Sequence, residues 1–224
     1  MPSPAVYRSP RGPATATAVL LALNGAVAVG SVVVMLFLYA AEPGDDVSLL
    51  VDLFGSNATT EAGLLLTLAT AVLFVLWLYR VRVNAEVIYP HGHQYARGWV
   101  IGGWIVPLVN FWFPWRITND VWRASGPPGE HGVPRPVPAG LVHAWWTALM
   151  LGELLSVLGR QSMGSEAALH YVDSYREALI VLIASELLTA AAAVLAVLVV
   201  RRLTAMQEEH AAPARAVWAP PAAV

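Results

Sequence analysis

The chain has 224 residues, of which 57% are hydrophobic and 12% charged, with a formal net charge of −2 and no cysteine. A soluble domain averages about 45–50% apolar and about 25% charged residues, so this surface is too poor in charge to face water on every side. The near-neutral balance offers no polyanion-binding face, which argues against nucleic acid as a partner, and the missing thiols exclude disulfides, thiolate metal sites and a cysteine nucleophile.

In chain order, residues 1–16 are rich in Pro, Ser and Ala around Arg8 and Arg11 and read as a short disordered arm. The apolar run 17–41 exceeds the core of about 7–15 residues expected of a signal peptide, and it reads as a transmembrane helix. An acidic stretch, 42–60, follows, in which Val47–Phe54 is a candidate surface helix. The second span, 61–83, ends in Trp77, Tyr79, Arg80 and Arg82. The run 98–115 is different: it holds Gly102, Gly103, Pro107, Asn110, Pro114 and four tryptophans. A short helical stretch and a Pro/Gly linker lead to further spans at 141–158 and 178–200, and residues 204–224 read as a disordered tail. The predicted fold is all-α: a polytopic transmembrane helix bundle over residues 17–203, with four spans plus a broken Trp/Pro-rich segment, re-entrant or interfacial. All 13 basic residues are arginine, a bias expected of a GC-rich bacterial genome.

The distribution of arginine orients the bundle. With both termini in the cytoplasm of a cell-membrane protein, only Arg160 and Arg176 fall outside. Arg97 precedes the broken segment and Arg116, Arg123 and Arg135 follow it, so the simplest path enters the membrane and turns back. Pro107 lacks the amide hydrogen that would bond the Gly103 carbonyl, and the paired glycines weaken the helix beside it. Each half of the run makes about 12–14 Å of helix, under half of an apolar core about 30 Å thick. The alternative is a kinked fifth span, because all 18 residues reach about 27 Å. Tryptophans and arginines clustered here suit the headgroup layer, with anionic lipid headgroups as a partner.

Two stretches carry a resemblance. One is Trp77-Leu-Tyr-Arg80 with Asn84-Ala85. The other is Gly98-Trp99, Gly102-Gly103-Trp104, Pro107-Leu-Val-Asn110, Trp112, Pro114, then Asp120-Val-Trp122-Arg123-Ala-Ser125. Over roughly residues 60–200 the chain resembles a family of actinobacterial membrane proteins, the domain-of-unknown-function (DUF) family 4328. Phe113 stands where that family often has a basic residue, and Tyr89-Pro-His-Gly-His is not expected of it. The resemblance implies a multi-helix membrane domain and supplies no activity.

The residues themselves offer few constellations for chemistry. Glu153 and Glu186 lie in antiparallel neighbouring spans, about one helical turn apart in depth, where they fit a proton or cation relay or, alternatively, hydrogen-bonded packing. His91 and His93, with His143, lack the fixed spacing of a metal site, and Asp45, Asp46 and Asp52 lack that of a calcium loop. Arg116, Asp120 and Arg123 share one helical face. Asn84 and Asn110 are candidates to satisfy backbone freed at Pro107. Ala22, Ala26 and Gly30 form a small-residue stripe suited to packing within the chain or between two copies, and a homo-oligomer or a membrane-protein partner is expected as a possible assembly. There is no phosphate loop and no nucleophile elbow. No catalytic residue, metal or cofactor is assigned. The expected function is a non-catalytic membrane module acting through partners or lipids. The alternatives are a small transporter or channel component using Glu153 and Glu186, or an intramembrane enzyme.

Overall fold

The computed structural model describes residues 6–42, 45–91, 93–129, 133–165 and 172–218. Among them are seven α-helices: α1 (Arg11–Ala40), α2 (Ser48–Gly55), α3 (Asn57–Ile88), α4 (Trp99–Ile105), α5 (Phe113–Ala124), α6 (Gly140–Met163) and α7 (Val172–Trp218), with a 3-10 turn at Val109–Phe111. No strand occurs among these residues beyond an isolated bridge between Pro128 and Pro134. Four helices, α1, α3, α6 and α7, are long and apolar enough to cross a membrane. Each holds an 18-residue apolar window with at most two charged side chains, and the helix satisfies its own backbone.

The helices outrun the apolar runs in the sequence. α1 starts at Arg11, because Pro13 falls in the first turn, where a missing amide hydrogen costs nothing, and the Ala14 amide already bonds the Pro10 carbonyl at 2.9 Å. α7 continues through the charged stretch to Trp218. Two expectations therefore change. The described part of the arm, residues 6–16, is pinned or helical, and residues 204–218 are helical. Residues 1–5 and 219–224 lie outside the described residues.

The chain divides into two compact units, and α1, α3, α6 and α7 contribute residues to both. Unit 1 comprises residues 1–18, 72–143 and 198–224. Its core holds Trp77, Leu78, Val81, Val100, Ile117, Val121, Val199 and Leu203, all essentially inaccessible. Unit 2 comprises residues 19–71 and 144–197. Here small residues allow close helix approach. A Cβ added to Gly25 would sit 3.2 Å from the Ala193 Cβ, and one added to Gly159 would fall 2.7 Å from Leu182 Cδ2. Polar ties are few: Asn24 Nδ2 donates to Thr70 Oγ1 at 2.7 Å, and Ser185 Oγ donates to the Gly152 carbonyl at 3.0 Å. Arg176 closes one end on Glu42 at 3.6 Å and over the Tyr39 ring.

Candidate functional site

The broken segment is a helical hairpin in unit 1. α4 and α5 pack against each other, and the approach is close because Gly103 has no side chain: an added Cβ would lie 3.1 Å from the Phe113 Cβ. Trp99 and Tyr95 both stack on Phe113, with ring centroids 4.8 and 4.7 Å apart. Arg116 Nη1 donates to the Tyr95 hydroxyl at 3.1 Å, so the chain before the segment and the chain after it meet. Trp104 packs edge-on against Phe74 of α3. Pro107 and a left-handed Leu108 (φ 65°) make the turn. Such a φ is strained for leucine, and the tight reversal imposes it.

The tip is apolar and uncovered. Ile105, Val106, Leu108, Phe111 and Trp112 are exposed, Ile105 and Leu108 by 72% and 70%. Pro107 and Asn110 are exposed there as well. α5 is two-faced: Pro114, Ile117, Val121 and Trp122 are buried, while Arg116 and Arg123 face out.

Behind the hairpin lies a cluster of charges. Glu86 accepts Arg82 Nη1 at 2.7 Å and Arg97 Nε at 2.8 Å, and Arg82 Nη2 donates to the Tyr95 carbonyl at 2.8 Å. Arg82 is buried, yet its charge is matched by a carboxylate and a carbonyl, as an interior guanidinium requires. Burial pushes the His93 imidazole below its ordinary range and the Arg82 charge adds to this, while backbone contacts at Ala85 and Tyr89 and the Glu86 charge oppose it. Burial holds the Asp120 carboxyl above the usual carboxylate range, against the lowering pull of the Gln94 backbone and of Arg123, Arg82 and Arg116.

A second network joins α3 to α7. Trp77 Nε1 donates to Thr204 Oγ1 at 3.1 Å. Asn84, fully buried, bonds Arg8 through its backbone and Gln207 through its side chain. Arg80 Nη1 reaches the Ser9 carbonyl at 3.4 Å. Asn84 is thus engaged away from Pro107, and Asn110 stands exposed at the hairpin tip; neither makes the backbone repair expected of it.

Glu153 and Glu186 belong to unit 2. Glu153 is exposed on α6, and Glu186 is half-buried on α7 within electrostatic reach of Arg160 and Glu153. Ala22 and Ala26 are exposed, and nothing lies within 4 Å of a Cβ added to Gly30. No group of three His, Asp or Glu side chains able to hold a metal occurs among the described residues.

Fold and site together define an all-helical protein with four membrane-length helices and a folded-back, arginine-flanked apolar hairpin. The chain belongs to the DUF4328 family, a domain of unknown function, which it matches over residues 50–205. No curated protein and no solved structure matches it.

Sequence reasoning missed Gln207, Glu208, Tyr7 and the Arg82–Glu86–Arg97 cluster. Arg82 and Glu86 stand four apart on one helix, a signal that was there to find. Gln207 and Glu208 offered only a polar pair after an apolar run, which looks like the end of a helix.

Proposed function

We propose that the chain is a non-catalytic, multi-pass module of a bacterial cell membrane, with both termini cytoplasmic, acting through the lipid surface and through membrane or cytoplasmic partners. The α4–α5 hairpin carries this reading. α4 is seven residues long, about 10 Å, too short to cross a core about 30 Å thick. Its uncovered apolar tip and its flanking arginines suit insertion into one leaflet, with anionic headgroups at the feet.

The charge division supports the orientation. Unit 1 has eleven arginines against five carboxylates, a formal +6; unit 2 has two against ten, a formal −8. The more basic region of a membrane protein remains on the cytoplasmic side.

The chain has no cysteine, so single cysteines report topology directly. Val133 and Ser162 are exposed, one before α6 and one at its end. Intact cells carrying Val133→Cys or Ser162→Cys are treated with a membrane-impermeant thiol reagent. Labelling of the Ser162 variant alone is the expected result. Labelling of the Val133 variant alone means that the hairpin crosses the membrane, and it removes the leaflet-insertion reading.

A further inference from the structure

We propose that residues 7–11 are a built-in peptide ligand seated in a main-chain-reading cleft of unit 1, and that this cleft takes a peptide of the same chemistry when the strap lifts. Asn84 reads the backbone of Arg8 in both directions. Its Oδ1 accepts the Arg8 amide at 3.0 Å, and its Nδ2 donates to the Arg8 carbonyl at 2.8 Å. An edge strand offers a neighbouring strand this same donor–acceptor pair, and it binds a peptide whatever its side chains.

The reader is preset. Asn84 and Gln207 are both fully buried. Asn84 Nδ2 also donates to Gln207 Oε1 at 3.0 Å, and Gln207 Nε2 donates to the Val81 carbonyl at 2.8 Å and to Ser125 Oγ at 3.0 Å. This chain of amides fixes the orientation of Asn84 before any peptide arrives, so little ordering remains to oppose binding.

Glu208 selects. Its nearly buried carboxylate accepts the Tyr7 hydroxyl at 3.1 Å and the Ser9 hydroxyl at 2.7 Å, and it pairs with Arg11 Nε at 2.8 Å. The Tyr7 hydroxyl also lies 3.0 Å from the Gln207 carbonyl. The preferred ligand therefore carries a phenol, a small hydroxyl and a guanidinium at alternate positions.

The strap is built to leave. Val6, Arg8, Ser9 and Arg11 are exposed, and within residues 6–11 only Pro10 is buried. The hydrogen bonds that hold it go to groups that another peptide of the same kind can also reach. Removing it strands a buried amide and a buried carboxylate, which creates the demand for a substitute.

The test uses the chain without residues 2–9 in nanodiscs, with a fluorescent peptide of the sequence Val6–Ser9 followed by anisotropy. Saturable binding to the trimmed chain is expected. Binding to the full chain should be at least about tenfold weaker, because the tethered strap competes at an effective concentration on the order of millimolar. Asn84→Leu in the trimmed chain should abolish binding. Absence of saturable binding to a monodisperse, helical trimmed chain, or equal binding to both chains, overturns the proposal. Should trimming prevent folding, the full chain with Pro10→Cys decides: excess unlabelled peptide must accelerate thiol labelling of the buried position, and an unchanged rate overturns the proposal.

Discussion

Unit 1 and unit 2 bury helices of similar character by different means. In unit 1 long polar side chains cross between elements: Trp77 to Thr204, Gln207 to Ser125, Arg82 to the Tyr95 carbonyl and Arg97 to Glu86. In unit 2 the helices meet where side chains are short, at Gly25, Gly152 and Gly159, with a few hydroxyls and one amide between them. Directional bonds fix the register of one residue against another. Close packing of small residues fixes distance and leaves register to shape. A carboxylate should therefore be structurally costly to remove in unit 1 and cheap to remove in unit 2, while added bulk should be felt most in unit 2.

The largest effect is expected from Glu86→Leu. It leaves Arg82 buried with its charge unmatched, a loss of about 3 kcal/mol, at the low end for a broken buried pair because Arg97 reaches solvent. Unfolding by denaturing detergent, followed by circular dichroism, measures it; a shift below about 1 kcal/mol would show that the cluster is ornamental. Next is Gly159→Leu in unit 2, where the new side chain meets Leu182 and overpacking costs about 1–3 kcal/mol. The same denaturation measures it, and an unchanged midpoint would mean that α6 and α7 separate freely.

The third is a pH dependence. The folded His93 sits below its ordinary value of 6.5, so between the two values the unfolded chain binds the extra proton. Stability should therefore fall as pH drops through about 6.5, by at most about 1.4 kcal/mol per pH unit. Asp120 runs the other way: its raised value means that stability falls as pH rises through the range above the ordinary carboxylate value of 3.8. Melting from pH 8 to pH 6 separates the two, and His93→Gln should flatten the slope there. The smallest effect is expected from Glu153→Gln, under about 0.5 kcal/mol because the side chain is exposed. Such a result keeps the contrast with Glu86. A loss as large as that of Glu86→Leu would end it.

How much of this was legible in the sequence follows the same physics. Apolar length announces a span, because a bilayer imposes one length on every helix. The hairpin was legible too: Gly103, Pro107 and Pro114 obstruct a continuous helix whatever surrounds them. The helix ends were not. Arg11 and residues 204–218 are polar enough to resemble tails, and what orders those stretches, Glu208 against Tyr7, Ser9 and Arg11, joins positions some 200 residues apart. Local patterns carry no record of such pairings. Asn84 stood out as a polar residue at the end of an apolar run, but its partner Arg8 could not be inferred from either residue alone.

The closure of the hairpin on Phe113, Pro114 and Ile117 has a consequence for biogenesis. Seven residues of α4 leave the ribosome before any of the surface they pack on has been made. The glycines and Pro107 interrupt the helix as soon as they are made, but the contact that holds the two halves together waits until α5 has been synthesised. The order of synthesis makes the packed hairpin a late-setting element, and a chain interrupted before Ile117 would carry the break in the helix without all of the surface that closes it.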